Sequence, residues 1–195
     1  MNIKESLRLQ NVEESSTLAM AALAREYKSK GIDVISLSLG EPDFKTPPHI
    51  CDGAKDAIDS GNYFSYPPVP GYLDLREAIS QKFKNENNLS YTSSEVIISN
   101  GVKHSITNVM FSILNKGDEV IVFAPFWVSY SAIITLAEGV PKYINTTIEN
   151  DFKPTTSQLE EAISNKTKAV IFSSPCNPTG TVFTREELEG YKDVL

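Results

Sequence analysis

The run Glu119-Val120-Ile121-Val122-Phe123-Ala124 constrains the fold more than any other segment of this chain. Its apolar residues follow one another without polar alternation, so both faces of the strand it forms must be buried. Such a strand needs helices above and below it and parallel neighbours reached by crossover helices. The sequence supplies them in alternation. Strands are expected at Asp33–Leu39, Glu95–Ser99, Val140–Thr146 and Lys168–Ser173. Helices are expected at Ser15–Lys30, His49–Ser60, Leu73–Asn87, Val102–Leu114, Trp127–Glu138, Ser157–Asn165 and Thr184–Leu195. In the first helix Leu18 and Ala22, with Ala21 and Leu23 beside them, mark one apolar face. In Leu73–Asn87 the pattern is clearest, with Leu75, Ile79 and Phe83 at i, i+4 and i+8. Ser157-Gln158-Leu159-Glu160 and Thr184-Arg185-Glu186-Glu187 match the capping box, S/T-x-x-E/Q. The expected fold class is α/β: a mostly parallel sheet with helices on both faces.

Composition excludes several functions. With 195 residues the chain is the size of one domain with a small appendage. It carries 18 Lys and Arg against 25 Asp and Glu, a net charge of −7, and no basic block, so no nucleic-acid partner is expected. No apolar run approaches the roughly 20 residues that span a bilayer, so no membrane partner is expected either. The opening residues, with Glu5, Glu13 and Glu14, contain no apolar signal-peptide core. Cys51 and Cys176 read as free thiols of a reducing compartment, which points to the cytoplasm. His49 and His104 have no Cys or His at ligand spacing, so no metal site is expected. Dinucleotide, Walker-type and nucleophile-elbow glycine motifs are absent.

Parallel α/β sheets bind ligands at the carboxyl ends of their strands, so the loops there are the places to look. Ser99-Asn100-Gly101-Val102-Lys103-His104 joins a strand to a helix. Gly101 permits close approach, and the free N–H groups of Val102 and Lys103 suit a phosphate monoester at the helix's positive end. Trp127, the sole tryptophan, follows the buried strand and can stack on a planar ring. Ser174-Pro175-Cys176-Asn177-Pro178-Thr179-Gly180 fixes its backbone tightly and aims Asn177, an amide that can donate to a ring oxygen. Gly40, in Leu39-Gly40-Glu41-Pro42-Asp43-Phe44, offers an unobstructed backbone N–H. Taken singly, each also reads as an ordinary turn, and Trp127 as a core residue.

Taken together, in this order and spacing, they resemble the N-terminal half of the class I pyridoxal-phosphate-dependent aminotransferases. The resemblance runs from about Ser15 to the end. It rests on Gly40-Glu41-Pro42-Asp43-Phe44, Tyr66 with Pro68-Val69-Pro70-Gly71, Leu75-Arg76-Glu77-Ala78-Ile79 and Asn100-Gly101-Val102-Lys103. It continues through Gly117-Asp118-Glu119-Val120, Pro125-Phe126-Trp127-Val128-Ser129-Tyr130 and Asn177-Pro178-Thr179-Gly180. The bacterial aspartate aminotransferase subgroup is the most similar.

The resemblance implies pyridoxal 5′-phosphate as cofactor, its phosphate held by the backbone of Gly101, Val102 and Lys103. It implies Trp127 against the pyridine ring, Asn177 on the ring's 3′ oxygen, and Gly40 at the substrate α-carboxylate. Tyr66 is implied to reach the phosphate in a neighbouring subunit, making the enzyme a homodimer. Cis peptide bonds are implied at Ala124-Pro125 and Asn177-Pro178. Residues 1–32 are implied to contribute to a small domain and 33–195 to form the first part of the large cofactor domain. The implied substrates are an amino acid, aspartate-like, and a 2-oxo acid.

Departures exist. Val102 stands where small residues are usual, Pro70 where the subgroup often has Gly, and Asn62-Tyr63-Phe64 replaces a basic stretch. The family's Schiff-base lysine, pyridine-binding aspartate, tyrosine donor and carboxylate-clamping arginine all follow the Asn-Pro-Thr-Gly turn, and nothing here matches them. No catalytic residue is therefore assigned. Arg8, Arg25, Arg76 and Arg185 lie in other contexts, and the last helix has no closing Gly, Asn or Pro. The expectation is a fragment that is inactive alone. Another enzyme of the same fold, such as a C–S lyase, a non-catalytic remnant and an unrelated phosphate-ligand binder remain as alternatives.

Overall fold

The computed structural model describes residues 4–12, 15–38 and 40–195. They form two compact units, Met1–Ala19 with Val102–Leu195, and Met20–Gly101.

In the first unit a three-stranded sheet is built from β1 (Glu119–Ala124), β2 (Val140–Asn145) and β3 (Thr167–Ile171), in the order β2-β1-β3. Both pairings are parallel: Val122 lies opposite Tyr143 on one side and Ile171 on the other. This is the α/β class that the buried central strand demands. Val120, Ile121 and Val122 are completely buried. Because side chains alternate across a strand, they serve two separate cores. Val120 and Val122 pack with Met110 and Leu114, at the end of α5 (Val102–Ile113), and with Tyr130, Ile133 and Ile134 of α6 (Ser129–Leu136). Ile121 and Phe123 pack on the opposite face with Leu159 of α7 (Thr156–Ala162), Tyr191 of α8 (Arg185–Val194) and Phe183. A short α1 (Leu7–Gln10), capped by Ser6, belongs to the same unit.

The starts of α7 and α8 follow their side-chain caps. Thr184 accepts from the Glu187 N–H at 3.2 Å while the Glu187 carboxylate accepts from the Thr184 N–H at 2.7 Å, the reciprocal arrangement expected from sequence. The other box sits two residues earlier than the spacing at Ser157 suggests: Thr155 and Gln158 form it, since Thr155 is the residue whose extended backbone precedes the helix. The expected helix at Trp127 begins at Ser129, because the Trp127 carbonyl is first used in a turn, accepting from the Tyr130 N–H at 3.0 Å.

The second unit contains most of α2 (Ser16–Ser29), whose first turn belongs to the first unit, then α3 (Pro48–Asp59) and α4 (Leu73–Asn87). In α2 the buried residue is Ala21, one of those expected on the apolar face, while Leu18 is exposed. The strands expected at Asp33–Leu39 and Glu95–Ser99 do not form among the described residues; Leu39 lies outside them. A strand is defined by its partner, and Ile35 and Leu37 are 85% and 91% exposed, with no neighbour alongside. Ile98 instead makes one backbone bond to the Pro70 carbonyl, at 2.9 Å. That contact requires Gly71: its φ is +95°, and a Cβ there would stand 2.4 Å from Ile98 Cγ1. Arg76 closes the same turn, donating from Nε to the Gly71 carbonyl at 3.1 Å and from Nη1 to the Ser93 carbonyl at 2.7 Å. Its guanidinium is thus committed to backbone.

Two predictions follow from this packing. Ile121→Ala should lose roughly 2–5 kcal/mol of unfolding free energy, while Leu37→Ala changes it by less than about 0.5, as read by urea denaturation. The Glu187 carboxyl is held below its ordinary value of 4.5 by the Thr184 N–H and then by Lys153, whose Nζ lies 2.9 Å away. Its ionised form is favoured in the fold, so its contribution is complete above 4.5 and disappears as pH falls through the depressed value. Glu187→Gln should therefore flatten the acid limb of a stability–pH profile and leave the slope near neutrality unchanged.

Candidate functional site

Parallel strands send their carboxyl ends to one edge, so the segments leaving β1, β2 and β3 emerge side by side. Thr146, just past β2, ties two of these exits: its N–H and its hydroxyl both donate to the Ala124 carbonyl, at 3.1 and 2.5 Å. After β1 the chain passes through a cis Ala124-Pro125 bond. Phe126 then stacks on Tyr143 of β2, with centroids 5.2 Å apart and planes within 5°.

After β3 the loop is held almost entirely by its own hydroxyls and amides. The Asn177 N–H donates to Ser173 Oγ at 3.2 Å, and the Phe183 N–H to Ser174 Oγ at 3.1 Å. The Cys176 N–H donates to the Thr181 carbonyl and the Gly180 N–H to the Cys176 carbonyl, both at 2.8 Å. Ser174-Pro175 and Asn177-Pro178 are cis. The two loops meet: Cys176 Sγ lies 3.7 Å from the Pro125 carbonyl it donates to. Between them is a hollow lined by Pro125, Phe126, Tyr130, Ser173, Cys176 and Asn177. Phe123 and Phe183 form part of its apolar lining.

The N-terminus of α5 reaches the same neighbourhood. Helix α5 runs into β1 and packs on it through Met110 and Leu114. Its start therefore lies toward the strand's carboxyl end. Direct contact confirms this: Lys103 Nζ stands 5.2 Å from the centroid of the Trp127 ring. Trp127 is half-buried against the first core, and its ring meets Tyr130 at 5.5 Å and 84°. Gly101, which leads into α5, has φ +81° with open space where a Cβ would project, and Val102 is exposed. No acidic residue occupies the first turn of α5.

The structure thus joins Lys103 to Trp127, and the Trp127 loop to the Asn177 loop. Tyr66, Gly40 and, as its last residue, Gly101 belong to the other compact unit, where Tyr66 is fully exposed and Gly40 stands on an exposed segment. Sequence reasoning missed the supporting residues Ser173, Ser174 and Thr146. The signal was available: hydroxyls beside prolines and at strand ends commonly bond nearby backbone. Both cysteines are free thiols. Among the described residues no group of His, Cys, Asp and Glu could hold a metal, and no helix is long and apolar enough to cross a membrane.

The donor set suits a flat, anionic heteroaromatic. Exposed helix-terminal amides and an ammonium answer a phosphate, an indole answers a ring, and a carboxamide on a rigid loop answers a ring oxygen. The residues therefore fit pyridoxal phosphate.

Comparison with known proteins gives the chain's relatives. The chain is 50% identical over 182 residues to the aspartate aminotransferase of Bacillus sp. (strain YM-2), covering 93% of this chain and 46% of that one. It is 44% identical over 193 residues to the aspartate/prephenate aminotransferase of Nitrosomonas europaea, covering 99% and 48%. Among solved structures, the aspartate aminotransferase from Thermus thermophilus with maleate superposes with a TM-score of 0.94 at 40% identity, over 99% of this chain and 50% of that one. The chain spans about half the length of the curated relatives it matches. The profile of the family described as Aminotransferase class I and II matches residues 32–193, and the chain belongs to that family.

Proposed function

We propose that these residues serve a pyridoxal-phosphate-dependent aminotransferase that moves an amino group from an aspartate-like amino acid to a 2-oxo acid. One observation carries the reading. A single unit joins a helix N-terminus to the sole tryptophan, and that tryptophan's loop to a rigid asparagine loop, at the carboxyl edge of a parallel sheet. The aspartate aminotransferases among the relatives, and the neighbour solved with maleate, a dicarboxylate, favour an acidic substrate.

In this reading the Gly101, Val102 and Lys103 backbone holds the cofactor phosphate. Trp127 lies against the pyridine ring and Asn177 donates to its 3′ oxygen. Gly40 places the substrate α-carboxylate. Tyr66, exposed in its own unit, reaches the phosphate in a second subunit of a homodimer. Residues 1–32 contribute to the small domain and 33–195 to the large one, and the enzyme works in the cytoplasm. Bound there, pyridoxal phosphate supplies an electron sink for breaking the Cα–H bond of the substrate. The task of this chain is to seat and orient that ring. No lysine here matches the one that would bind the cofactor covalently and move the proton.

Titration of this chain with pyridoxal phosphate should quench Trp127 fluorescence. Asn177→Ala should weaken that binding about tenfold or more, the loss of a hydrogen bond to a charged oxygen. Borohydride reduction should leave no lysine labelled stoichiometrically. Absence of any quenching would remove the cofactor assignment, and one fully labelled lysine would overturn the inactivity of the chain.

A further inference from the structure

Lys103 is placed where a lysine is electrostatically costly. It is the second residue of α5, where the helix dipole presents positive charge, and the first turn holds no acidic residue to offset it. Among the described residues no carboxylate stands within ion-pairing distance of it. Its ammonium instead lies 5.2 Å from the centre of the Trp127 ring, in reach of the negative π cloud. Tyr130 meets the same indole with its plane at 84° and its centroid at 5.5 Å. Two groups from α5 and α6 thus bear on one half-buried ring.

We propose that the Lys103 side chain is a positioning residue that clamps the Trp127 indole, so that helix α5 sets the orientation of the aromatic plate as well as offering its backbone amides. This rests on the cofactor-seat reading for its purpose, though the clamp itself is a property of the cofactor-free chain. Tyr130 meets the indole by an edge contact on the core side, and the ammonium adds a second point of attachment from α5. The arrangement links the two halves of the seat. The residue whose N–H faces the phosphate also fixes the plane on which the pyridine ring lies, so the two are set at one mutual distance before the ligand arrives.

The sole tryptophan makes the test direct. In cofactor-free protein, Lys103→Met and Lys103→Gln should each shift Trp127 emission to the red, lower its anisotropy and raise its collisional quenching by acrylamide. Lys103→Arg, which keeps the cation, should restore all three. Pyridoxal phosphate should bind the neutral variants about two- to fivefold more weakly, the factor expected of an exposed cation–π contact. Far-UV circular dichroism confirms that the variants fold; because Lys103 is exposed, its replacement leaves the core intact. Coincidence of the neutral variants with wild type in emission and quenching, or failure of Lys103→Arg to restore them, would overturn the clamp. If the cofactor leaves wild-type emission unchanged while the cofactor-free differences persist, the clamp stands and the cofactor assignment falls.

Discussion

Everything in the first unit depends on the burial of β1 from both sides. Three of its residues are inaccessible to water, and they divide between two cores on opposite faces of the sheet. Fully burying each aliphatic side chain contributes roughly 1.5–3 kcal/mol, so this one hexapeptide anchors α5 and α6 on one face and α7 and α8 on the other. Parallel pairing then has a consequence for chemistry. Every strand in such a sheet ends at the same edge, and the loops that carry Trp127 and Asn177 have no choice but to be neighbours.

The site at that edge is assembled from weak, local restraints rather than from charge. Ser173, Ser174 and Thr146 each satisfy a backbone group, and the Lys103 ammonium rests on an aromatic face. Among the described residues, no ion-paired side chain lines the hollow itself. Lys142 and Ser164 engage Glu119 at the amino end of β1, and Lys153 engages Glu187 at the start of α8. Among the described residues, none of those lining the hollow is acidic, which suits an anionic ligand there.

The second unit shows how a sequence pattern can be read correctly and still not produce the element expected. Ile35 and Leu37 alternate with polar residues as a strand should, yet they stand in water. Hydrophobic periodicity reports what a segment can pair with; it does not supply the partner. Glu95–Ser99 behaves alike: Val96 is buried, Ile97 is 70% exposed, and Ile98 meets Gly71. What the segment gains is a turn contact that depends on the one residue type without a Cβ.

Most of the architecture was legible because it rests on local rules. Buried apolar runs, capping threonines and the order of strand and helix are written within a few residues of where they act. Gly101, Trp127 and Asn177 were legible as candidates for the same reason, each being a residue type with a narrow physical use at a strand end. Tertiary structure alone decided which candidates meet. The Lys103–Trp127 contact spans α5 and the loop after β1, and the Cys176–Pro125 contact spans fifty-one positions of sequence. Neither has any periodicity to betray it. Such contacts follow from the register of a parallel sheet and the direction of a packed helix, which are settled only when the whole core closes.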